Sequence, residues 1–185
     1  KPMVYMTALD NGFTPSSIIL DAPFVIDQGP GLGLWKPDNY EDQFYGPSTL
    51  RTGVEKSRNL MTVRLAQAVG MDKVALTAEH FGVVDDLPEV LSMALGARET
   101  TLLRMVTAYG MIVNGGKRIV PTLLDRVQDR YGRTIFRHDA RACEGCQAAW
   151  EDGEEPPLPP DLRERVIGAD TAYQMVSILQ GVIER

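Results

Sequence analysis

The sequence predicts an α+β fold in which helices dominate and a small β subdomain follows them. Hydrophobic residues make up 44% of the 185 residues, which is enough to build a buried core. Four early segments space their apolar residues as a helix does. They begin at Pro2, Ser48, Asn59 and Glu99. Near Val120 the spacing changes to the alternation that is typical of a strand.

The helices are predicted from this periodicity and from the residues that end them. The first runs from Pro2 to Asn11, where the Asn11-Gly12 pair forms a C-cap. The complete set of predicted helices is 2–11, 48–56, 59–69, 72–81, 99–113 and 170–185. A short strand is predicted at 17–21. A long loop is predicted at 28–45, and loops of that length are usually functional.

The β subdomain is predicted from two alternating segments around a turn. Residues 120–128 and 133–137 form a hairpin, and the apolar run 24–26 is a further candidate strand. Acidic residues and prolines concentrate between 140 and 161, which indicates an exposed linker or insertion. The predicted organisation is a first domain at 1–139 with its hairpin at about 118–138, a linker or insertion at 140–166, and a returning helix at 167–185.

Charge and composition exclude several classes of function. The net charge is −6 and the pI is about 5.0, whereas binding to nucleic acid needs a basic face. No apolar run approaches the roughly 18 residues that a membrane-spanning helix needs. The glycine-rich stretch 29–33 is followed by Trp35-Lys36-Pro37 and not by a helix, so it does not predict a phosphate cradle. We expect no cofactor and no nucleic-acid partner.

Cys143 and Cys146 are the two cysteines, and their Cys-x-x-Cys spacing allows several interpretations. A zinc site needs two more ligands, and His138 is the one histidine nearby in the sequence. A redox pair should open a helix after a strand, whereas this pair lies in the acidic, proline-rich segment. A structural disulfide or a pair of inert thiols is therefore favoured over metal or redox chemistry, and we expect no bound metal.

The stretch Ser57-Arg58-Asn59 lies at the break between two predicted helices. Serine and asparagine before an apolar helix are ordinary N-cap residues, and on spacing alone the capping interpretation is favoured. Glu55, Lys56 and Arg58 read as a solvated face. A lysine such as Lys1 would ordinarily be solvated too. The residue types alone therefore do not assign chemistry to this stretch.

Several stretches together carry a resemblance to a known family. They are Lys1-Pro2-Met3-Val4-Tyr5, residues 8–15 with Asp21-Ala22-Pro23, Trp35-Lys36-Pro37-Asp38-Asn39-Tyr40 with Tyr45-Gly46-Pro47, residues 50–66, Leu95-Gly96, Thr107-Ala108-Tyr109-Gly110, and Asn114-Gly115-Gly116 with Pro121. In this combination the chain resembles part of the transpeptidase domain of a class A, bifunctional penicillin-binding protein. The resemblance covers nearly all of 1–128 and returns at 172–185. It implies a helix-rich part of the serine β-lactamase and D,D-transpeptidase fold.

The resemblance implies acyl transfer by a serine, with three active-site elements: Ser-x-x-Lys, Ser-x-Asn and Lys-Thr-Gly. Lys1 matches the lysine of the first element, which acts as general base. Ser57 and Asn59 match the second: Ser57 passes the proton towards the leaving amine, and Asn59 binds the substrate. We expect the nucleophilic serine before Lys1 and the Lys-Thr-Gly strand after Arg185. The 185 residues alone are therefore expected to lack acyl-transfer activity.

The same resemblance implies partners and a location for the parent protein. Its substrates would be peptidoglycan stem peptides, its inhibitors β-lactams, and its place the periplasmic face of the bacterial inner membrane, with a separate glycosyltransferase domain. The apolar faces of the helices predicted at 1–11, 59–69 and 170–185 are expected to pair with a second copy or with the rest of the parent chain. Two alternatives stay open: a non-catalytic structural or interaction module, and a serine β-lactamase or β-lactam sensor.

Overall fold

The structure is a computed structural model that describes residues 1–27, 31, 33–146, 148–149 and 152–184. Its helices are α1 (Pro2–Asp10), α2 (Leu50–Glu55), α3 (Asn59–Val69), α4 (Met71–His80), α5 (Leu102–Val113) and α6 (Ala169–Glu184), with a 3₁₀ turn at Leu91–Leu95. Its strands are β1 (Ile18–Asp21), β2 (Ile26–Asp27), β3 (Leu34–Trp35), β4 (Gly46–Thr49), β5 (Arg126–Gln128) and β6 (Thr134–Arg137). The α+β class predicted from the sequence is confirmed.

The strands form three separate antiparallel pairs: β1 with β4, β2 with β3, and β5 with β6. In the first pair Ile18 lies opposite Thr49 and Asp21 lies opposite Gly46. The chain divides into two compact units, Lys1–Ile119 with Arg165–Arg185, and Val120–Glu164. All the helices lie in the first unit, and the β5–β6 hairpin lies in the second.

Helix α1 is the centre of the first unit. Every residue from Met3 to Leu9 is buried, because α3, α4 and α6 all pack against this helix. A helix that is buried on all sides carries no polar stripe, which explains why its apolar residues run nearly without interruption. Tyr5 and Met6 are fully buried, and with Leu65 of α3 and Ile178 of α6 they belong to one continuous core.

Three of the predicted elements begin two or more residues later than predicted. The helix predicted from Ser48 begins at Leu50, because 46–49 pairs with β1 as strand β4. The helix predicted from Glu99 begins at Leu102, where Thr101 Oγ1 accepts a hydrogen bond from Arg104 N and caps it. The strand predicted from Val120 begins only at Arg126.

Two further predictions, for the segments 24–26 and 28–45, need correction. The apolar run 24–26 contributes Ile26 to a pair with Trp35, not to the β5–β6 hairpin. The segment 28–45 was predicted as a loop, yet it contains β3; its residues 28–30 and 32 lie outside the described part. Within the described residues, no helix combines the length and the apolar character needed to cross a bilayer.

Candidate active site at the α2–α3 corner

Ser57 closes the C-terminus of α2 and does not cap α3. Its N–H donates to Val54 O at 3.0 Å, and the N–H of Arg58 donates to Gly53 O at 2.9 Å. These two bonds are the Schellman motif, in which Ser57 takes the left-handed C′ position. The N-cap of α3 is Arg58, and Asn59 is already the first helical residue. The capping interpretation of Ser57 and Asn59 is therefore wrong.

The backbone of Ser57 is strained at this position, because its φ is +53°. Glycine usually occupies the C′ position, since a side chain in the left-handed region costs about 1–2 kcal/mol. Non-glycine residues persist in such conformations mainly where the surrounding structure holds them for a function. The turn itself therefore does not favour a serine over a glycine at this position.

Lys1 reaches this corner across 56 residues of sequence. Its Nζ donates to the Ser57 carbonyl oxygen and to Ser57 Oγ, both at 2.8 Å, and to Asn59 Oδ1 at 2.6 Å. An ammonium has three N–H donors, so all three have an acceptor. Burial lowers the pKa of the Lys1 ammonium from its ordinary value, because desolvation disfavours the charged form. The structure thus brings together the three residues that the sequence singled out.

The carboxamide of Asn59 is held in one orientation. Its Nδ2 donates to the backbone oxygen of Asp38 at 2.8 Å, which leaves Oδ1 directed at Lys1. A flipped carboxamide would place an N–H group against the ammonium, where two donors oppose each other. Asn59 can therefore serve as an acceptor for Lys1 while its other edge is tied to the 36–45 loop.

Asn39, in that loop, supplies the side-chain cap of α3. Its Oδ1 accepts from Asn59 N at 2.9 Å and from Leu60 N at 3.3 Å. Its Nδ2 donates to Asp21 Oδ1 and to Gln43 O, both at 2.8 Å. This role of Asn39 was not predicted from the sequence, because the helix that it caps begins 20 residues further along the chain. The resemblance had nevertheless included the loop that contains Asn39.

Arg58 was predicted to lie on a solvated face, and this prediction is wrong. Its guanidinium carbon lies 3.3 Å from the centre of the Tyr45 ring. Its Nη1 lies 3.3 Å from Glu41 Oε2, and its Nε lies 3.9 Å from Asp21 Oδ2. Asp21 is completely buried, so Arg58 is the cation that offsets the charge of this carboxylate.

A groove of about 390 Å³ opens over these polar groups. It is lined by Lys1, Asn39, Tyr40, Glu41, Lys56, Ser57, Arg58 and Asn59. Its volume falls within the usual range for a small-molecule site. A second, mainly apolar cavity of about 250 Å³ also touches Lys1, so the lysine stem lies between a polar and an apolar space.

Comparison with known proteins identifies the family of this chain. The profile of the family described as the penicillin binding protein transpeptidase domain matches residues 1–185. The chain belongs to this family. The resemblance drawn from the sequence is thereby confirmed. Penicillin-binding protein 1A of Rickettsia bellii is 46% identical over the whole chain, and that of Pseudomonas aeruginosa is 32% identical. The chain spans 24% and 26% of the length of these two relatives.

Solved structures agree with this membership of the transpeptidase family. The crystal structure of penicillin-binding protein 1A from Haemophilus influenzae superposes with a TM-score of 0.81 at 32% identity, covering 100% of this chain and 29% of that one. The imipenem acyl-enzyme complex of penicillin-binding protein A from M. tuberculosis superposes with a TM-score of 0.72 at 17% identity, covering 99% of this chain and 42% of that one. At that lower identity the likeness concerns the fold.

The cysteines of this transpeptidase domain belong to the second unit. Cys143 and Cys146 are joined by a disulfide, one of the two arrangements favoured from the sequence. Among the residues that the structure describes, no group of three His, Cys, Asp or Glu side chains could hold a metal ion. The groups that meet at the corner are the Lys1 amine, the Ser57 hydroxyl and the Asn59 carboxamide.

Proposed function

We propose that this chain supplies the proton-transfer and substrate-binding side chains of a serine-type D,D-transpeptidase that cross-links peptidoglycan. The single observation that carries the proposal is the contact of Lys1 Nζ with Ser57 Oγ and Asn59 Oδ1. In the family motif the nucleophilic serine lies three residues before the lysine. Neutral Lys1 takes the proton of that serine as its oxygen attacks the carbonyl carbon of the penultimate D-Ala of the stem peptide.

The leaving group is the amine of the terminal D-Ala, released when the C–N bond breaks. It needs a proton, and Ser57 Oγ can deliver one because it is hydrogen-bonded to Lys1 Nζ at 2.8 Å. A lysine acts as a base only when neutral, and the lowered pKa of Lys1 favours that form. Asn59 binds the amide of the substrate along the groove. A β-lactam would enter as a substrate mimic whose ester is not released.

Related solved structures support the β-lactam part of the proposal. They describe imipenem as an acyl-enzyme on penicillin-binding protein A, and penicillin V in complex with PonA1, both from M. tuberculosis. The location we propose is the periplasmic face of the bacterial inner membrane, in a protein that also carries a glycosyltransferase domain. There the substrate strands are assembled.

An exposed apolar stripe on α5 supports association. Leu102, Val106 and Val113 lie on it and are 80%, 60% and 72% exposed. Large exposed apolar patches on soluble proteins usually mark contact surfaces. We propose that a second copy or the remaining part of the natural protein covers this stripe.

The test is acylation of the natural full-length protein by a fluorescent penicillin. Ser57→Ala and Asn59→Ala should each slow acylation by roughly 10²-fold or more. Ser48→Ala, in β4 and outside the groove, is the matched control and should leave the rate unchanged. The acylation rate should also rise with pH, and it should do so at pH values below the ordinary pKa range of a lysine. Unchanged acylation in both variants would contradict the proposal and favour the non-catalytic module.

A further inference from the structure

Asn39 ties the candidate site to the buried Asp21 carboxylate by a hydrogen bond of 2.8 Å. We propose that Asn39 is a positioning residue: from a separate loop it caps α3 and holds the Asn59 carboxamide against Lys1. This inference rests on the proposed function, since it concerns the geometry of the same site. It gives a role to a residue that itself need not touch the reacting atoms.

The first line of support is the way α3 begins. The amides of Asn59 and Leu60 both point at Asn39 Oδ1, at 2.9 and 3.3 Å. A cap supplied by the preceding residue moves with its own helix, whereas this cap comes from 20 residues earlier in the chain. The position of Asn59 is therefore set by the 36–45 loop as well as by α3.

The second line of support is that Asn39 is itself immobilised. It is 4% exposed, and its Nδ2 uses both N–H groups, one on Asp21 Oδ1 and one on Gln43 O. Asp21 belongs to β1 and is fully buried. The chain of contacts runs from a fixed strand through Asn39 to the first turn of α3. A side chain held at each polar atom is a suitable anchor for a neighbouring group.

The third line of support is that the same loop holds the other end of Asn59. The backbone oxygen of Asp38, next to Asn39, accepts from Asn59 Nδ2 at 2.8 Å. Loss of the Asn39 cap frees the loop from α3 and weakens this bond as well. The Asn59 carboxamide could then rotate and present Nδ2 to Lys1, which removes an acceptor from the ammonium.

The experiment must separate positioning from simple stabilisation. The protein is the natural full-length chain, and the probe is a fluorescent penicillin. Two quantities are measured: the fraction of protein that becomes labelled and the first-order rate constant of labelling. A residue that only stabilises the fold changes the labelled fraction, whereas a positioning residue changes the rate constant of the molecules that remain folded.

Asn39→Ala should lower the acylation rate constant roughly tenfold while the labelled fraction stays that of the wild type. Thr101→Ala is the matched control, because it also removes a helix N-cap, that of α5, but does not line the groove. We expect this control to keep the wild-type rate constant. In Asn39→Ala the rise of the acylation rate constant with pH should also occur at lower pH. The reason is that the charged form of Lys1 loses a hydrogen-bond acceptor.

A second pair of variants covers the case in which Asn39→Ala does not fold. Asn39→Asp keeps the acceptor for α3 but places a carboxylate against Asp21. It also loses the N–H group that donates to Gln43 O, and so does the double variant described next. Combining Asn39→Asp with Asp21→Asn restores a hydrogen bond between positions 21 and 39 with its direction reversed. The logarithm of the acylation rate constant falls in Asn39→Asp, and the double variant should recover at least half of that fall.

The outcomes separate this inference from the function on which it rests. Slow acylation in Ser57→Ala with a wild-type rate constant in Asn39→Ala would overturn the positioning role alone. A double variant no faster than Asn39→Asp would overturn it as well. Acylation that survives both Ser57→Ala and Asn59→Ala would overturn the proposed function, and the positioning role with it.

Discussion

The polar contacts of the two units differ in how far along the chain they reach. At the α2–α3 corner, Lys1 and Ser57 are 56 residues apart, and Arg51 donates to Ser177 O across 126 residues. In the second unit, Arg141 pairs with Asp139 and Arg163 with Asp161, each two residues away. A contact between close neighbours forms wherever the local chain allows it, whereas a distant one depends on the whole unit.

Burial follows the same division. Asp21 is fully buried and the Arg58 side chain is 14% exposed, whereas every residue of β6 is exposed. In the first unit, these two charged groups lie beside each other and away from water, so losing one leaves the charge of the other without its partner. In the second, water replaces a lost partner at little cost. The positions of polar side chains are therefore more strictly fixed in the first unit than in the second. Pairs of matching substitutions, one in each unit, can test this difference.

The largest expected difference lies between apolar residues of the two units. Leu65→Ala in α3 should reduce the free energy of unfolding by about 2–5 kcal/mol, because Leu65 is fully buried and a cavity remains. Ile135→Ala in β6, where the side chain is 67% exposed, should change it by less than about 0.5 kcal/mol. Amide hydrogen exchange of peptides from each unit measures both. Equal effects would remove the contrast.

The next difference concerns the arginines. Arg58→Ala leaves the buried Asp21 carboxylate without its cation and should destabilise the first unit by about 3 kcal/mol. Arg163→Ala breaks an exposed pair and should cause no measurable change. Arg58→Lys is the control that keeps the charge, and it should fall between the wild type and Arg58→Ala. Denaturant titration of each variant decides; a loss in Arg58→Ala as small as in Arg163→Ala would contradict the comparison.

The smallest expected effect isolates the strain at the corner. Both Ser57→Gly and Ser57→Ala remove the hydroxyl, but only glycine relieves a φ of +53°. The glycine variant should therefore be about 1 kcal/mol more stable than the alanine variant by thermal unfolding. At Lys56, where φ is −99°, alanine should be at least as stable as glycine. An alanine variant at position 57 that is as stable as the glycine variant would mean that Ser57 carries no strain.

The sequence predicted the helices better than the short strands, for a physical reason. Residues 102–113 repeat their apolar positions over three turns, so their signal is local. Strand β4 has four residues, one of them Pro47, and exists because its backbone pairs with β1. No local pattern in 46–49 announces that partner, and the start of α2 was therefore placed two residues early.

The residues of the candidate site likewise divide into those that were predicted from the sequence and those that were not. Lys1, Ser57 and Asn59 were singled out through the resemblance to a family motif, and spacing alone favoured an ordinary cap. Asn39 and Asp21 lie in stretches that carry the resemblance, but no role was predicted for them, because an asparagine in a loop and an aspartate at the end of a strand are common residues. Their importance lies in a hydrogen-bond chain that the folded backbone creates.

The central place of α1 has a consequence for synthesis of the protein. This helix is made before the elements that bury it, and its contact with α6 joins Thr171 Oγ1 to Asp10 Oδ1 across 161 residues. At the usual pace of a ribosome, that interval lasts roughly ten to thirty seconds. For this time an apolar segment from Met3 to Leu9 lacks one of its covering helices. The core around α1 is therefore completed only after α6 has been made.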